Sequence, residues 1–418
     1  MIKTQHIRLR PSKKECNLLR EYQKETAQCW NAIITMAKEY YDQTRKWISK
    51  SDLQKQLKGK FKLHSQTIQA LTDKFAANRQ TTAKLRRLGL RKIKYPYKKK
   101  KYMTIPFKQQ AIRINDNGEL VLSLSKGIFF NTGYIPDRKI HTAEILFRNG
   151  RYILAVTGEY AEPELKSFGI KAGIDIGEIH PVALCDENGD GLIISGREIR
   201  AIKQWRNKSL AALSKKLSHC QKGSRQWRKY KKAISKLISK TENQLRDLYH
   251  KVTLKAIDWA HARGVSELII GNPTGVGKNS RKRRKLSRKS AQKISQMEHG
   301  RIKQYLRYKA KELGINTCLA NERGTSQDCP VCGHKNRGNG RIYTCSRCGF
   351  TAHRDGKAAF MILHKKYNVP LPIKFSFEHV QAESKYRKSS KGACVVGAGV
   401  TQSSLVIAGP LPGTCSAG

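Results

Sequence analysis

Four cysteines form the most specific chemical pattern in the chain. Cys329 and Cys332 lie in CPVCG, Cys345 and Cys348 lie in CSRCG, and twelve residues separate the two pairs. Two CxxC turns at this separation present four thiolates to one tetrahedral Zn²⁺, and the glycine after each pair permits the tight turn. Because four cysteines leave no open coordination position, we expect this zinc to hold a small ribbon together and not to activate water.

Two aspartates are the next candidates for functional residues. Asp175 lies inside the apolar run GIDIG, where an unpaired carboxylate is costly unless a cation or hydrogen-bond donors accompany it. Asp355 follows the second cysteine pair in TAHRDGKAAF, at the start of a predicted helix. Each aspartate also has an ordinary interpretation, Asp175 as a turn cap near Gly177 and Asp355 as a helix N-cap.

The third pattern is basic charge interleaved with tyrosine. The segment KLRRLGLRKIKYPYKKKKY at 84–102 suits phosphate contact together with stacking on unpaired bases, and a solvated linker is the alternative. The helical segment KGSRQWRKYKK and the acid-free run KNSRKRRKLSRKS are similar candidates. The predicted nucleic-acid contacts are Arg86, Arg87, Arg91, Lys92, Lys94, Tyr95, Tyr97, Lys98, Lys99, Lys100, Lys101, Arg225, Arg228, Lys229, Arg281, Lys282, Arg283, Arg284 and Lys285.

The overall charge supports a polyanionic partner. The chain has 418 residues, with 83 Lys and Arg against 31 Asp and Glu, which gives a formal net charge of +52. Such an excess makes a compact state repel itself unless a polyanion neutralises it, and it argues against an ordinary enzyme for a small neutral metabolite. The hydrophobic content of 39% is sufficient for folded cores. An odd total of 11 cysteines favours a metal site over a disulfide framework.

In the first half, the spacing of apolar residues changes period twice. Alternation over the first eleven residues predicts a strand, and spacings of three and four predict amphipathic helices over about 13–90. From about 95 to 160 the period is close to two, with Gly, Asn, Asp and Pro between the runs. We therefore expect a small antiparallel β-barrel or sheet into which the helical segment is inserted.

The second half predicts a new domain. Two apolar runs joined by ENGDG predict a hairpin, and a basic helical hairpin follows over 197–262 with a break at 220–224. A buried strand in SELIIG, one helix over 290–314, a strand in INTCLANE and a short helix after Asp355 come next. The Ser- and Gly-rich residues 373–418 show no sustained period and are expected to be a disordered tail.

The order of these elements and motifs resembles the TnpB family. Its members are compact RNA-guided nucleases encoded by insertion sequences, similar to type V CRISPR effectors, and the resemblance covers about residues 165–365 by motif. It implies an α+β multidomain protein with an RNase H-like (RuvC) domain at 166–325 and 352–372 and a zinc ribbon at 326–351 that binds target nucleic acid. It also implies a wedge-like β-barrel at 1–12 and 93–165 that carries a helical recognition lobe at 13–92.

The resemblance implies a function as well. Such a protein binds a guide RNA, pairs it with double-stranded target DNA beside a short flanking motif, and cuts the DNA by Mg²⁺-dependent hydrolysis. We expect a monomer in the cytoplasm of a prokaryotic cell, associated with the nucleoid. Two alternatives remain open: an RNA-guided DNA-binding protein whose nuclease is inactive, and a DDE-type transposase with the same core fold.

The middle catalytic acid departs from the family pattern. The family has an Asp on the first strand, a Glu at the end of the fourth and an Asp on the last helix, and Asp175 and Asp355 match the first and third. Gly271 stands at the usual glutamate position. However, Glu322 ends the next strand, and the ends of paired parallel strands lie about 4.8 Å apart. We therefore expect Asp175, Glu322 and Asp355 to hold Mg²⁺ together.

Overall fold

The computed structural model describes residues 2–90, 92–273, 286–336 and 340–382. Arg91 and the basic run from Arg281 to Lys285, both expected to contact nucleic acid, lie outside the described residues. The chain divides into two compact units, the first ending at Ala161 and the second beginning at Glu162. Among the described residues, none of the helices combines the length and apolar character needed to cross a membrane.

The first unit combines three helices with two antiparallel sheets. The helices are α1 Lys13–Thr44, α2 Lys50–Leu57 and α3 Ser65–Arg87. The strands are β1 Ile2–Arg8, β2 Ile105–Lys108, β3 Ile112–Ile114, β4 Leu120–Ser125, β5 Ile128–Asn131, β6 Ile140–Arg148 and β7 Arg151–Glu159. They pair in the orders β1-β7-β6-β2 and β3-β4-β5. The predicted insertion of helices after the first strand is confirmed, whereas closure into a barrel stays a prediction.

The helices of the first unit share their core with both sheets. Helix α1 begins at a capping box, in which the Ser12 hydroxyl accepts from the Glu15 backbone and the Glu15 carboxylate accepts from the Ser12 backbone. Buried side chains from the helix and the two sheets, such as Trp30, Phe107 and Leu122, belong to one hydrophobic cluster. The helical segment therefore depends on the strands for burial of its apolar face.

The second unit is built on a six-stranded mixed sheet. Its strands are β8 Ile170–Asp175, β9 Val182–Asp186, β10 Asp190–Ser195, β11 Val265–Gly271, β12 Asn316–Ala320 and β15 Ser376–Gln381, in the order β12-β11-β8-β9-β10-β15. The neighbours β8, β11 and β12 are parallel, and β8, β9 and β10 are antiparallel. The predicted ENGDG hairpin is confirmed as the turn between β9 and β10.

Helices cover both faces of this sheet. They are α4 Arg197–Ser218, α5 Arg225–Ala262, α6 Arg288–Ser295, α7 His299–Glu312 and α8 Arg354–Tyr367. On β11, Leu268 and Ile270 join the cluster beneath α5 and α7, and Ile269 joins the cluster beneath α8. This alternation explains why the strand reads as a continuous apolar run. A small antiparallel pair, β13 Ile342–Thr344 and β14 Thr351–His353, precedes α8.

Two expectations for the second unit are corrected. The predicted single helix over 290–314 is two helices, since residues 296–298 lie between α6 and α7. The predicted disordered tail from residue 373 contains β15, which pairs in parallel with β10 through Phe377 opposite Gly191 and Val380 opposite Ile194. The short apolar alternation of SFEHVQ gave little sequence signal, because its pairing partner lies almost 190 residues earlier.

Candidate active site and metal centre

Three parallel strands bring the predicted acids to one edge of the sheet. Ile174 of β8 lies opposite Ile270 of β11, and Gly271 of β11 lies opposite Ala320 of β12. Asp175 ends β8, and Glu322 follows two residues after the end of β12. The predicted parallel pairing of the two later strands is confirmed. Both carboxylates therefore leave the sheet at its carboxyl edge.

A glycine allows the third acid to approach. A Cβ atom at Gly173 would lie 2.0 Å from the carbonyl oxygen of Ala359, so only a glycine lets α8 pack directly on the backbone of β8. Asp355 lies in the first turn of α8. The close packing of this helix on β8 brings the Asp355 carboxylate near enough to Asp175 to raise the pKa of Asp175.

Asp175 is electrostatically the most perturbed of the three acids. Burial, followed by the negative charges of Asp355 and Glu322, raises the pKa of Asp175 to about 8. Arg354 and a hydrogen bond from the Ile176 backbone oppose this shift. Clustered acids with raised pKa values are typical of sites that bind cations, because a cation removes their mutual repulsion.

Glu322 occupies the space in front of Gly271. A Cβ atom at Gly271 would lie 2.8 Å from Glu322 Oε2, so the glutamate carboxylate stands where a side chain at 271 would begin. Glu322 Oε2 is buried without a hydrogen-bond partner. Burial raises the pKa of Glu322, and the positive charge of Lys303 on α7 opposes that rise. Its surroundings therefore differ from those of a solvated loop acid.

Asp355 is held by a histidine and is not the helix cap. His180 Nδ1 lies 2.6 Å from Asp355 Oδ2, and His353 supplies the N-cap by accepting from the Gly356 backbone. Burial would raise the pKa of Asp355, but the hydrogen bond with His180 and the nearby charge of Arg354 lower it below its usual range. Asp355 is therefore ionised while one of its oxygens is already engaged.

Sequence reasoning missed the side chains that surround these acids. Arg341 Nη1 lies 3.3 Å from His180 Nδ1, and the Arg354 backbone donates to the Arg341 carbonyl at 2.8 Å. Lys303 Nζ donates to the amide oxygen of Asn272, beside Gly271. A single His, Arg or Lys does not form a recognisable sequence motif, so its role becomes apparent only from the fold.

The four cysteines meet in a compact group. Their sulfur atoms all lie within 4.8 Å of one another, with Cys329 Sγ 3.6 Å from Cys348 Sγ and Cys332 Sγ 3.6 Å from Cys345 Sγ. A tetrahedron of sulfurs around Zn²⁺ at about 2.3 Å has edges of about 3.8 Å, so the cysteines fit that ion. Burial opposes ionisation of Cys345, but hydrogen bonds from the backbones of Cys348 and Arg347 lower its pKa to about 6.

The three carboxylates are spaced more widely than the cysteines. Within the described ranges, the cysteines are the one group of three or more His, Cys, Asp or Glu residues whose ligand atoms all lie within 4.8 Å. The acids therefore do not crowd around a single point.

The ribbon that carries the cysteines is attached to α8. Lys357 is fully buried, donates from Nζ to the Asp328 carbonyl at 2.9 Å and lies 3.8 Å from the centre of the Tyr343 ring. Lys365 pairs with the Asp328 carboxylate at 2.7 Å. The thiolate cluster and the helix of Asp355 are therefore parts of one packed structure.

The basic tyrosine segment is anchored to the first unit and is not a free linker. The Lys100 backbone N–H donates to Asn31 Oδ1 at 2.8 Å, and Asn31 Nδ2 donates to the Lys100 carbonyl oxygen at 2.9 Å. Tyr95 and Tyr97 lie 5.4 and 6.2 Å from the Trp47 ring, between ring centres. Their faces are thus partly used within the protein. Of the other predicted contacts, Arg86, Arg87, Lys92, Lys94, Lys98, Lys99, Lys101, Arg225, Arg228 and Lys229 are exposed.

Two family models match the chain. The Cas12f1-like TNB domain matches residues 299–362, which include Glu322, the four cysteines and Asp355. A family described as "Probable transposase" (OrfB_IS605) matches residues 156–277, which include Asp175.

The relatives agree with these models. The "Putative RNA-guided DNA endonuclease InsQ" of Escherichia coli (strain K12) is 34% identical over 168 residues, covering 38% of this chain and 42% of InsQ. The "TnpB-like protein MJ0751" of Methanocaldococcus jannaschii is 25% identical over 209 residues, covering 49% of this chain and 72% of that protein. The chain thus spans less than half the length of InsQ.

A solved structure shares the fold. The cryo-EM structure of a Cas12f1–sgRNA–target DNA complex aligns with a TM-score of 0.60 at 16% identity, covering 85% of this chain and 84% of the Cas12f1 chain. At this identity the likeness concerns the fold alone. It confirms the predicted mixed α/β multidomain architecture.

Proposed function

This chain is a TnpB family protein, and we propose that it is an RNA-guided DNA endonuclease whose RuvC-type site has a relocated glutamate. The observation that carries the proposal is the position of Glu322, whose carboxylate fills the space in front of Gly271 and raises the pKa of Asp175. A protein that only bound DNA would have no need for a carboxylate with a buried, unpaired oxygen beside two other acids.

The strand order supports an RNase H-like fold for the second unit. Three antiparallel strands, β8 to β10, are followed by β11 and β12, which add in parallel on the other side of β8. In such open sheets, functional side chains gather beyond the carboxyl ends of the central parallel strands. We assign the RuvC domain to 166–325 and 352–372, the wedge to 1–12 and 93–165, the recognition lobe to 13–92 and the ribbon to 326–351.

Mg²⁺ would be held by Asp175, Glu322 and Asp355, and when bound it supplies an activated water and stabilises the oxygen that leaves the phosphodiester. The residues fit a hard cation, because all three are carboxylates and Glu322 Oε2 is buried without a partner. The contribution of the chain is to fix these oxygens. Asp355 is oriented by His180, and Asp175 is fixed by the end of β8.

The remaining assignments concern Zn²⁺ and nucleic acid. Zn²⁺ would be held by Cys329, Cys332, Cys345 and Cys348 and would stabilise the ribbon packed on α8. The exposed Arg and Lys residues of the basic segments would bind the phosphates of a guide RNA and of target double-stranded DNA, and guide pairing would read the target sequence. We propose that the protein acts as a monomer in the cytoplasm.

The test uses full-length protein purified with its RNA. Sequencing of the co-purified RNA should give one defined transcript, and the ribonucleoprotein should cut matched DNA that carries a flanking motif only when Mg²⁺ is present. Glu322→Gln should lower single-turnover cutting by about 10³-fold or more, because it removes a charged metal ligand. Glu267→Gln is the matched control, since Glu267 lies at the opposite end of β11 and its hydrogen bond from Tyr367 can be kept by the amide.

Gly271 favours one rival function, an RNA-guided DNA-binding protein without cleavage. Its expected result is tight, guide-dependent DNA binding with no Mg²⁺-dependent product, unchanged by Glu322→Gln. Cutting at the same rate in Glu322→Gln and in the unmodified protein would instead remove Glu322 from the mechanism while leaving the nuclease in place.

A further inference from the structure

A cavity of about 690 Å³ begins close to Asp175 along the chain, and the proposed mechanism does not use it. Gly177, two residues beyond Asp175, forms part of its wall, and the other walls come from α4, α5, α6 and the start of α7. Its volume lies within the ordinary range of sites for small organic molecules.

The cavity is strongly basic. Its cationic side chains are Arg197, Arg200, Lys203, Lys208, Lys289 and Lys293. It contains two carboxylates, and both form ion pairs. Glu178 pairs with Arg200 at 3.1 Å, and Glu298 pairs with Arg301 at 2.6 Å. The cavity thus carries a net positive charge suited to a phosphate group.

One histidine in the wall has unmet hydrogen-bonding capacity. Both ring nitrogens of His299 are buried without a hydrogen-bond partner. A neutral imidazole has one donor and one acceptor, and leaving both unmet costs free energy that a bound ligand would return. Burial, reinforced by Lys303 and Lys203, lowers the pKa of His299 to about 4, so the ring is neutral at physiological pH.

The rest of the lining resembles a surface that reads base edges. Asn207 and Gln296 join α4 to the α6–α7 connection by two reciprocal amide hydrogen bonds of 3.1 Å, and Gln204 and Gln292 add two further amides. Asn and Gln amides pair with the donor and acceptor pattern of nucleobases, and the mutual bonds of Asn207 and Gln296 use only one N–H of each amide. Ile199, Met297 and Ile302 supply apolar surface for a base plane.

We propose that this cavity takes one unpaired nucleotide of the DNA strand that is cut, with its base against His299 and its phosphate against the cationic wall. The nuclease thereby prefers particular bases at one position next to the cut. The inference rests on the proposed nuclease function, which places a DNA strand at Asp175. Guide pairing would choose the target, and the cavity would choose where along the strand the cut falls.

A binding experiment tests the cavity without cleavage. The four 2′-deoxynucleoside 5′-monophosphates and abasic deoxyribose 5-phosphate are titrated against full-length protein without Mg²⁺. At least one base-bearing nucleotide should bind about tenfold more tightly than the abasic phosphate, and His299→Ala should remove that difference. His219→Ala is the matched control, because His219 is an exposed histidine at the end of α4, away from the cavity. Equal affinity for base-bearing and abasic phosphates in the unmodified protein would overturn the proposal.

A cleavage experiment separates this inference from the proposed function. The ribonucleoprotein cuts targets randomised around the cut site, and the products are sequenced. A base preference at one position that persists in His219→Ala and disappears in His299→Ala supports the cavity. Cutting without any preference refutes the cavity but leaves the nuclease intact. Base-dependent nucleotide binding in a protein that cuts nothing would show that the cavity binds a nucleotide, but it would refute the nuclease and with it the role of the cavity next to a cut. Asn207→Ala, scored in the same way with its melting temperature, serves as a second variant if His299→Ala fails to fold.

Discussion

Gly271→Ala is expected to reduce DNA cutting although it removes no functional group. The added Cβ would lie 2.8 Å from Glu322 Oε2, 2.9 Å from Ile362 Cδ1 and 3.1 Å from the Ile174 carbonyl oxygen. All three distances are shorter than the roughly 3.5–4.0 Å of ordinary van der Waals contact. The Glu322 carboxylate is at the end of a flexible side chain, whereas the Ile174 carbonyl is fixed in the sheet. The Glu322 carboxylate, together with the end of the Ile362 side chain, is therefore what moves.

The size of the effect follows from this crowding. Overpacking a buried position costs about 1–3 kcal/mol of folding free energy, or a few degrees in melting temperature for a domain of this size. Displacing a reacting group by about 1 Å costs about 10²-fold in rate. Gly271→Ala should therefore lower single-turnover cutting by about 10²-fold while the protein remains folded at 25 °C.

Moving the glutamate back to the usual position gives the complementary test. Glu322→Ala removes the shortest of the three contacts in front of residue 271, so the double variant Gly271→Glu with Glu322→Ala should cut DNA faster than Glu322→Ala alone. Gly271→Glu alone should be inactive, because two carboxylates then compete for one space. The assay is Mg²⁺-dependent single-turnover cleavage with a melting curve for every variant. Unchanged cutting by Gly271→Ala, or a folded double variant no faster than Glu322→Ala, would refute the reasoning.

The remaining predictions concern Asp175, His180, the cysteine cluster and the basic helix α5. The pKa of Asp175 is raised from 3.8 to about 8, so the folded protein loses stability as the pH rises between these values. In Mg²⁺-free buffer, Asp175→Asn should therefore raise the melting temperature more at pH 8 than at pH 5. Equal increases at the two pH values would contradict this. His180→Ala should raise the Mg²⁺ concentration for half-maximal cutting about 10–100-fold, and an unchanged Mg²⁺ curve would count against orientation by His180. Cys345→Ser should lose the zinc detected by atomic absorption and lower the melting temperature, and full zinc content would exclude Cys345 as a ligand. Arg225→Ala with Arg228→Ala should make the slope of log affinity for guide RNA against log salt shallower by about 1.4, and an unchanged slope would remove both from the interface.

The placement of Asp175 and Glu322 at one edge of the sheet could be predicted because it depends on patterns that sequence carries well. Long apolar runs predict buried parallel strands, and parallel strands share one edge for their carboxyl ends. The structure confirms the pairing of β11 with β12 and places Glu322 against Gly271. The four cysteines could be predicted for a similar reason, since CxxC spacing fixes local geometry independently of the fold.

The supporting side chains could not be predicted, because their roles depend on distant contacts. His180 meets Asp355 across 175 residues, and Lys303 meets Asn272 across 31. His299 gains significance only from a cavity assembled by four helices. Strand β15 was missed because a short strand at the edge of a sheet needs few apolar residues, and its alignment with β10 is set by tertiary packing.

The geometry also allows the proposed change of strand by the glutamate. Gly271 and Ala320 are direct partners on neighbouring parallel strands, so a side chain that begins two residues after Ala320 needs only to fold back over the strand end to reach the space in front of 271. Glutamate has the length to do so, whereas aspartate is one methylene shorter. The move also requires that residue 271 have no side chain, because a Cβ there would meet Glu322 Oε2 at 2.8 Å. Gly271 and Glu322 are therefore one feature of the proposed site. DNA cutting should survive a substitution at either position only when the other position changes with it.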